Sequence, residues 1–257
     1  MDRAFLLLKP DCLRLGLGAE VEAVARAHGL TVRCRHRRTL TPDDLRFLWT
    51  EYTDEEHVLT RALLDRYLCE GPSEVWHLTG PDAFAATRKI KRKVRGRYAR
   101  GPFANLVHAA EQPAELTRQG NRLLDECSAW EGDPEDGQHA RRPGGIDFRR
   151  HADVDAAIDR LWPMLRVDET PAPPPVRLDD GSGAVYLGPD PAHSLDSAVT
   201  ALWRALPGID LGHAILLNTF AAKTGGYPIA VGARASVLRC HEALLRAGLQ
   251  HCWTGVQ

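Results

Sequence analysis

The sequence predicts a mixed α/β protein built in two parts. Three observations point there. Short apolar runs closed by Gly, Pro and Asp alternate with helical stretches over the first half. Pro171-Ala172-Pro173-Pro174-Pro175 then breaks the chain with a stiff, extended segment. Beyond it, residues 184–257 resume an alternation of their own. Strands alternating with helices imply a sheet covered by helices. The expected divisions are 1–165, a linker over 166–183, and a small domain over 184–257.

Residues 4–8 form an apolar run closed by Lys9-Pro10-Asp11, the pattern of a buried strand ending in a turn. A helix follows, with Val21, Val24 and Ala25 on one face and Gly29 at its end. Leu30–Arg35 reads as a second strand. Thr41-Pro42-Asp43-Asp44 is a helix start, with Thr41 as cap, Pro42 at the first helical position and acids against the dipole. A helix over 55–69 stops at Gly71-Pro72, and Glu74–Leu78 is the next strand. Gly80-Pro81-Asp82 opens a helix that runs into a basic stretch. Residues 131–145 read as an exposed loop and Asp153–Leu165 as an amphipathic helix. In the last part, strands are expected at 184–187, 228–232 and 250–256, and helices at 194–206, 210–222 and 233–247.

A formal net charge of -1 gives no global attraction to nucleic acid or to an anionic membrane. No run approaches the length needed to cross a bilayer. The six cysteines show no CxxC pair and no regular spacing, which argues against a disulfide framework or a zinc site and for reduced thiols. A cytoplasmic protein is expected.

Chemistry concentrates in the first part. Lys9 and Asp11 stand where a core strand emerges. Residues 88–100 carry eight basic side chains and no acid: Arg88, Lys89, Lys91, Arg92, Lys93, Arg95, Arg97 and Arg100. Asn105-Leu106-Val107-His108 follows at once. Clustered Arg and Lys suit a polyphosphate through strong, often bidentate, charge-assisted bonds. A neighbouring histidine can act as a nucleophile toward phosphorus. Lys89, Lys91 and Lys93 are expected to face solvent. The basic run lacks an aromatic platform, so nucleic acid is not an expected partner. Gly16-Leu17-Gly18 lacks the third glycine of a dinucleotide fingerprint.

These residues resemble the nucleoside diphosphate kinase family over about residues 2–125. The family pattern of Lys-Pro-Asp, Gly-Leu, Arg-Gly and Asn-X-X-His is met by Lys9-Pro10-Asp11, Gly16-Leu17, Arg95-Gly96 and Asn105-Leu106-Val107-His108. Tyr67 to Pro72 resembles a segment that ends Ser-Gly-Pro in the family. The resemblance implies a ferredoxin-like domain and a phosphotransferase in which His108 takes the γ-phosphate of ATP and passes it to a nucleoside diphosphate or related small acceptor. It implies that Lys9, Arg88 and Arg95 hold phosphate oxygens and that Asn105 contacts sugar and phosphate. Either Trp49 or Tyr52 takes the place of a family tyrosine near the histidine. Mg²⁺ would arrive with ATP. Several positions depart from the pattern: Cys12 replaces Gly, Ala110 replaces Ser, Gln119 replaces Glu, Thr60 falls where an aromatic stacks on the base, and the stretch between Arg88 and Arg95 is shortened. The alternative is a degenerate kinase fold that binds nucleotide as a sensor or scaffold. With the interface loop shortened, a monomer or homodimer is expected.

Residues 184–257 resemble the ClpS family of protease adaptors in element order, with Ile215-Leu216-Leu217-Asn218, then Gly226, a strand and a long helix. The family's Asn-Asp-Asp segment is met only by Gly188-Pro189-Asp190. This resemblance implies a protein partner for the C-terminal domain.

Overall fold

A computed structural model describes residues 2–53, 57–99, 104–130, 154–165 and 171–256. Arg100, the loop at 131–145, Asp153, the first residues of the helix expected from 55, and residues 166–170 of the linker lie outside them. Contacts divide the chain into two units. One is Met1–Thr53 with Leu63–Arg141, and the other is Asp54–Ala62 with Arg142–Gln257. The sequence placed the division at 165. Among the described residues, no helix is long and apolar enough to cross a membrane.

The first unit contains β1 (Asp2–Leu8), α1 (Pro10–Arg14), α2 (Gly18–Ala27), β2 (Thr31–Arg38), α3 (Pro42–Leu48), a 3₁₀ turn (Thr50–Tyr52), most of α4 (Val58–Leu68), β3 (Ser73–Gly80), α5 (Ala83–Tyr98), β4 (Val107–His108) and α6 (Pro113–Leu123). Its four strands pair antiparallel in the order β2-β3-β1-β4. That is the ferredoxin-like βαββαβ arrangement. Central β1 is buried continuously from Ala4 to Leu8 because both faces are covered. Ala4, Leu6 and Leu8 pack with Val21, Ile90 and Val94 of α2 and α5. By strand alternation, Phe5 and Leu7 point to the opposite face. Edge strand β2 alternates between more and less exposed residues and carries Arg33, Arg35, Arg37 and Arg38, charges that discourage edge pairing.

Thr41 caps α3 in a capping box with Asp44, as the sequence indicated. The same Asp44 accepts from Arg122 of α6 at 2.9 Å, which joins the two helices lying over the Phe5 face. Cys34 of β2 and Cys127 beyond α6 form a disulfide, their Cα atoms 6.6 Å apart. The expectation that every thiol is reduced is corrected here. The two cysteines are 93 residues apart in sequence, and only the return of the chain across β2 brings them together, so no local spacing could signal the pair.

The second unit holds α7 (Val154–Leu165), β5 (Val176–Arg177), β6 (Gly183–Leu187), α8 (Leu195–Ala205), α9 (Leu211–Thr224), β7 (Tyr227–Gly232), α10 (Arg234–Arg246) and β8 (Cys252–Val256). The sheet order is β5-β7-β6-β8, with β5 parallel to β7 and the other pairs antiparallel. The strands and helices expected over 184–257 agree with these to within two residues at each end. β5 was missed: Val176 and Arg177, read as linker, pair with Ala230 and Val231. Asp210 caps α9 by accepting from the His213 N–H at 2.7 Å, and Gly225 ends it at φ 74°.

Asp196, in the first turn of α8, is fully buried. Its carboxylate accepts the backbone N–H groups of Leu59 and Thr60 at 2.8 and 3.0 Å, and the Thr60 hydroxyl as well. It therefore satisfies N–H groups that the start of α4 leaves without helical partners. Asp196→Ala should cost about 2–4 kcal/mol, the penalty for stranding two or three buried donors. Urea unfolding followed by tryptophan fluorescence would measure it, and a loss below about 0.5 kcal/mol, the surface-substitution level, would contradict the assignment.

Candidate active site

β1 delivers Lys9, itself buried, in extended backbone (φ -79°, ψ 168°), as the N-cap of α1 with Pro10 next in line. The chain then turns, and Asp11 is buried beneath. Its carboxylate accepts the Tyr67 hydroxyl at 2.9 Å, the Cys12 N–H at 3.0 Å and the Leu106 N–H at 3.1 Å. Leu106 sits at φ 68°, left-handed backbone that costs a non-glycine residue about 1–3 kcal/mol. Surrounding bonds hold it there. The Leu106 carbonyl accepts the Lys9 N–H at 2.8 Å, and the Tyr67 hydroxyl oxygen accepts the Asn105 N–H at 3.2 Å. This turn sets Val107 and His108 against Leu8 and Leu7 of β1.

His108 therefore lies on the Phe5 face of the sheet. Its ring is 6.0 Å from that of Phe5 and meets Trp49 edge-on at 4.9 Å. Gln119 of α6 contacts its Nε2 at 2.8 Å through Oε1. The amide orientation is fixed from behind, because Gln119 Nε2 donates to the Leu48 carbonyl at 2.7 Å. Gln119 thus offers His108 an acceptor, and the imidazole must donate from Nε2–H. A neutral ring then keeps its lone pair on Nδ1. Burial above all pushes the His108 pKa down to about 3, with Lys9, Lys91 and Arg95 adding repulsion and Gln119 opposing. The ring is neutral at physiological pH, the form a nucleophile requires.

The cations around it are well anchored. Lys9 Nζ donates to Asn105 Oδ1 and lies 4.9 Å over the Tyr67 ring. Burial, then Arg95, lowers its pKa to about 7. Arg95 donates from both Nε and a terminal nitrogen to the Val107 carbonyl, at 3.0 and 2.8 Å. Arg88 pairs with Glu111 at 2.9 Å. Lys91 was expected in solvent, and this is corrected: it is only 4% exposed, donates to the Ala109 carbonyl at 2.8 Å and pairs with Glu111. The physical reason is helical phase. Arg88, Lys91 and Arg95 recur at three and four residues and share one face of α5, whereas Lys89 and Lys93 fall on the exposed side. That periodicity was the signal available in the sequence.

Lys9, Trp49, Arg95, Asn105 and His108 thus gather around one turn, and Arg88 joins them through Glu111. Tyr52 lies half-buried in the 3₁₀ turn that follows Trp49, and it is Trp49 that packs on the histidine. Thr60, where the resemblance places a base-stacking aromatic, is taken up by Asp196.

No protein-family model matches the chain. The nucleoside diphosphate kinase of Mycobacteroides abscessus is 28% identical over 129 residues, covering 46% of this chain and 93% of that relative. The Mycolicibacterium smegmatis enzyme of the same name is 28% identical over 130 residues, covering 46% and 91%. About half of this chain is thus similar to nucleoside diphosphate kinases. Among solved structures, the Halobacterium salinarum nucleoside diphosphate kinase in complex with CDP aligns with a TM-score of 0.44 and 21% identity, covering 51% of this chain and 94% of that one. The Babesia bovis family protein aligns with a TM-score of 0.42 and 22% identity, covering 51% and 95%. The two curated relatives support a kinase-type function for about half the chain, and none of these comparisons bears on the ClpS resemblance.

The tautomer can be checked directly. In ¹⁵N-histidine spectra, His108 should remain the neutral Nε2–H form from pH 7 to pH 5, where a histidine with the ordinary value of 6.5 has titrated. A midpoint near 6.5, or an Nδ1–H tautomer, would contradict the geometry.

Proposed function

We propose that the first unit is a nucleoside diphosphate kinase-type phosphotransferase. His108 Nδ1 attacks the γ-phosphorus of ATP, the bond from that phosphorus to the β-phosphate oxygen breaks, and ADP leaves. A terminal phosphate oxygen of a nucleoside diphosphate, or of a related small acceptor, then attacks the phosphorus and the P–N bond breaks. Nε2–H stays on Gln119 throughout, so the ring needs no proton change to begin. The observation that carries this reading is the neutral, oriented His108 set among Lys9, Lys91 and Arg95.

Lys9 and Arg95 would neutralise phosphate charge as it develops, and Arg88 would join them by leaving Glu111. Asn105 would position both Lys9 and the nucleotide, and Trp49 and Tyr52 would border the nucleotide. Mg²⁺ would come bound to ATP, supplying charge neutralisation across its phosphates. That route fits the residues present. Asp11 is engaged by Tyr67 and backbone N–H groups, and Glu111 by Lys91 and Arg88, so neither carboxylate is open to build a metal cage.

A second reading, a nucleotide-binding sensor without transfer, is favoured by one feature: Glu111 occupies two of the cations that a phosphate would need. Incubation with γ-³²P-ATP and Mg²⁺ separates the two. Transfer predicts an acid-labile, base-stable label on His108, its chase by added nucleoside diphosphate, and complete loss in His108→Ala with ATP affinity changed less than about tenfold, or 1.4 kcal/mol. Saturable ATP binding with no label would establish the sensor, and label on another residue would end the proposed mechanism.

A further inference from the structure

On the same Phe5 face of the first unit's sheet, at the β2 edge, four side chains with metal-ligand chemistry converge around the disulfide. Cys34 and His36 are two apart on β2 and so share a face. Cys127 is joined to Cys34, and one ligand atom each from Cys34, His36 and Cys127 lies within 4.8 Å of the others. His77, on β3, stands directly opposite Cys34 in the strand register, and its Nδ1 is 3.6 Å from Cys127 Sγ. Trp130 closes over His77 edge-on at 5.3 Å, and Arg3 lies 5.0 Å over the Trp130 ring.

A further fact concerns the nitrogens. His36 Nε2 and His77 Nε2 are buried and have no hydrogen-bond partner among the described residues. A buried polar atom left so costs about 1–3 kcal/mol, and two in one cluster are an unusual concentration. Two sulfurs and two imidazoles are the donor set of a tetrahedral, soft-to-borderline cation. In such a site, metal–sulfur and metal–nitrogen bonds of about 2.3 and 2.0 Å separate neighbouring ligand atoms by about 3.3–3.8 Å. Here Cys127 Sγ and His77 Nδ1 are 3.6 Å apart and the Cys34, His36 and Cys127 atoms lie within 4.8 Å of one another, with the two sulfurs still bonded.

We propose that Cys34, His36 and Cys127, with His77 as fourth ligand, form a thiol-gated site for a zinc-class divalent cation. In the disulfide state the sulfurs carry no thiolate and the site is closed. A dithiol reductant transfers two electrons and two protons to the S–S bond, yielding two thiols and its own disulfide. Binding of the cation then releases those two protons as two metal–thiolate bonds form, while the imidazoles donate ring lone pairs. A disulfide oxidant takes the two electrons back and, with two protons from solvent, leaves as its dithiol, while the Cys34–Cys127 bond re-forms and the ion is released. The site shares no residue with the His108 cluster, and it does not rest on the phosphotransfer reading.

The test uses the full chain, reduced with a dithiol, desalted without air and titrated with Co²⁺ as the probe. One equivalent should give thiolate-to-cobalt charge transfer with the d–d absorption of tetrahedral cobalt, bleached by Zn²⁺. The air-oxidised chain should give neither. Cys127→Ser should lose most of the charge transfer. His36→Asn should keep it but bind at least about tenfold more weakly, the loss that even a group supporting a ligand causes. A Cys240→Ser, Cys252→Ser double variant should match the wild type. Absence of the bands in the reduced wild type would overturn the proposal. So would titrations of His36→Asn identical to wild type, a reading that stands even if Cys127→Ser does not fold.

Discussion

The buried carboxylate of Asp11 accepts the Tyr67 hydroxyl and the N–H groups of Cys12 and Leu106, joining the end of β1 to the strand that carries His108. Much of the candidate site follows from that connection. Leu106 can hold its left-handed backbone because its N–H has a charged acceptor and its carbonyl takes the Lys9 N–H. With Leu106 turned, the Val107 carbonyl is free to anchor Arg95, and His108 faces Gln119 and Trp49. A carboxylate with three donors is electrostatically worth far more in a buried setting than at the surface, and its loss would strand each of them.

The second constraint is electrical. Lys9, Lys91 and Arg95 face one histidine, and burial removes the water that would screen them. Burial first, and that field second, keep the imidazole neutral and push Lys9 itself toward losing its proton. A polyanion entering here would reverse both tendencies, since phosphate charge stabilises the ammonium and completes the array. Glu111 pairs with two of the neighbouring cations, Lys91 and Arg88. Glu111, just after His108-Ala109-Ala110, is thus an internal anion that competes for these cations.

Much of this was legible beforehand, for identifiable reasons. β1 announced itself by five successive apolar residues, and α3 by Thr41 with Pro42 and Asp44, because burial and capping are local in sequence. The second unit's helices and strands lie within two residues of their expected bounds, and Ser194, Asp210 and Gly225 stand at the ends of α8 and α9. His108, Lys9, Arg95 and Asn105 came from ordered motifs. What stayed hidden depends on contacts distant in the chain. The Cys34–Cys127 bond spans 93 residues, β5 is two residues long and exists only by pairing with β7, and Asp196 reaches back to Leu59 and Thr60. Gln119 as the partner of His108 was visible only through resemblance, since eleven residues and a helix separate them.

The central claim is that Asp11 shapes the turn from which His108 acts. The direct measurement is the single-turnover rate of His108 labelling by γ-³²P-ATP in Asp11→Asn, alongside its circular dichroism and ATP affinity. Asparagine keeps the volume but replaces one acceptor oxygen with a donor, so Tyr67 and Leu106 can no longer both be served. The account predicts a folded protein that binds ATP nearly as well but labels about 100-fold more slowly, the cost of displacing a reacting group by about 1 Å. Labelling at the wild-type rate in that variant would contradict it.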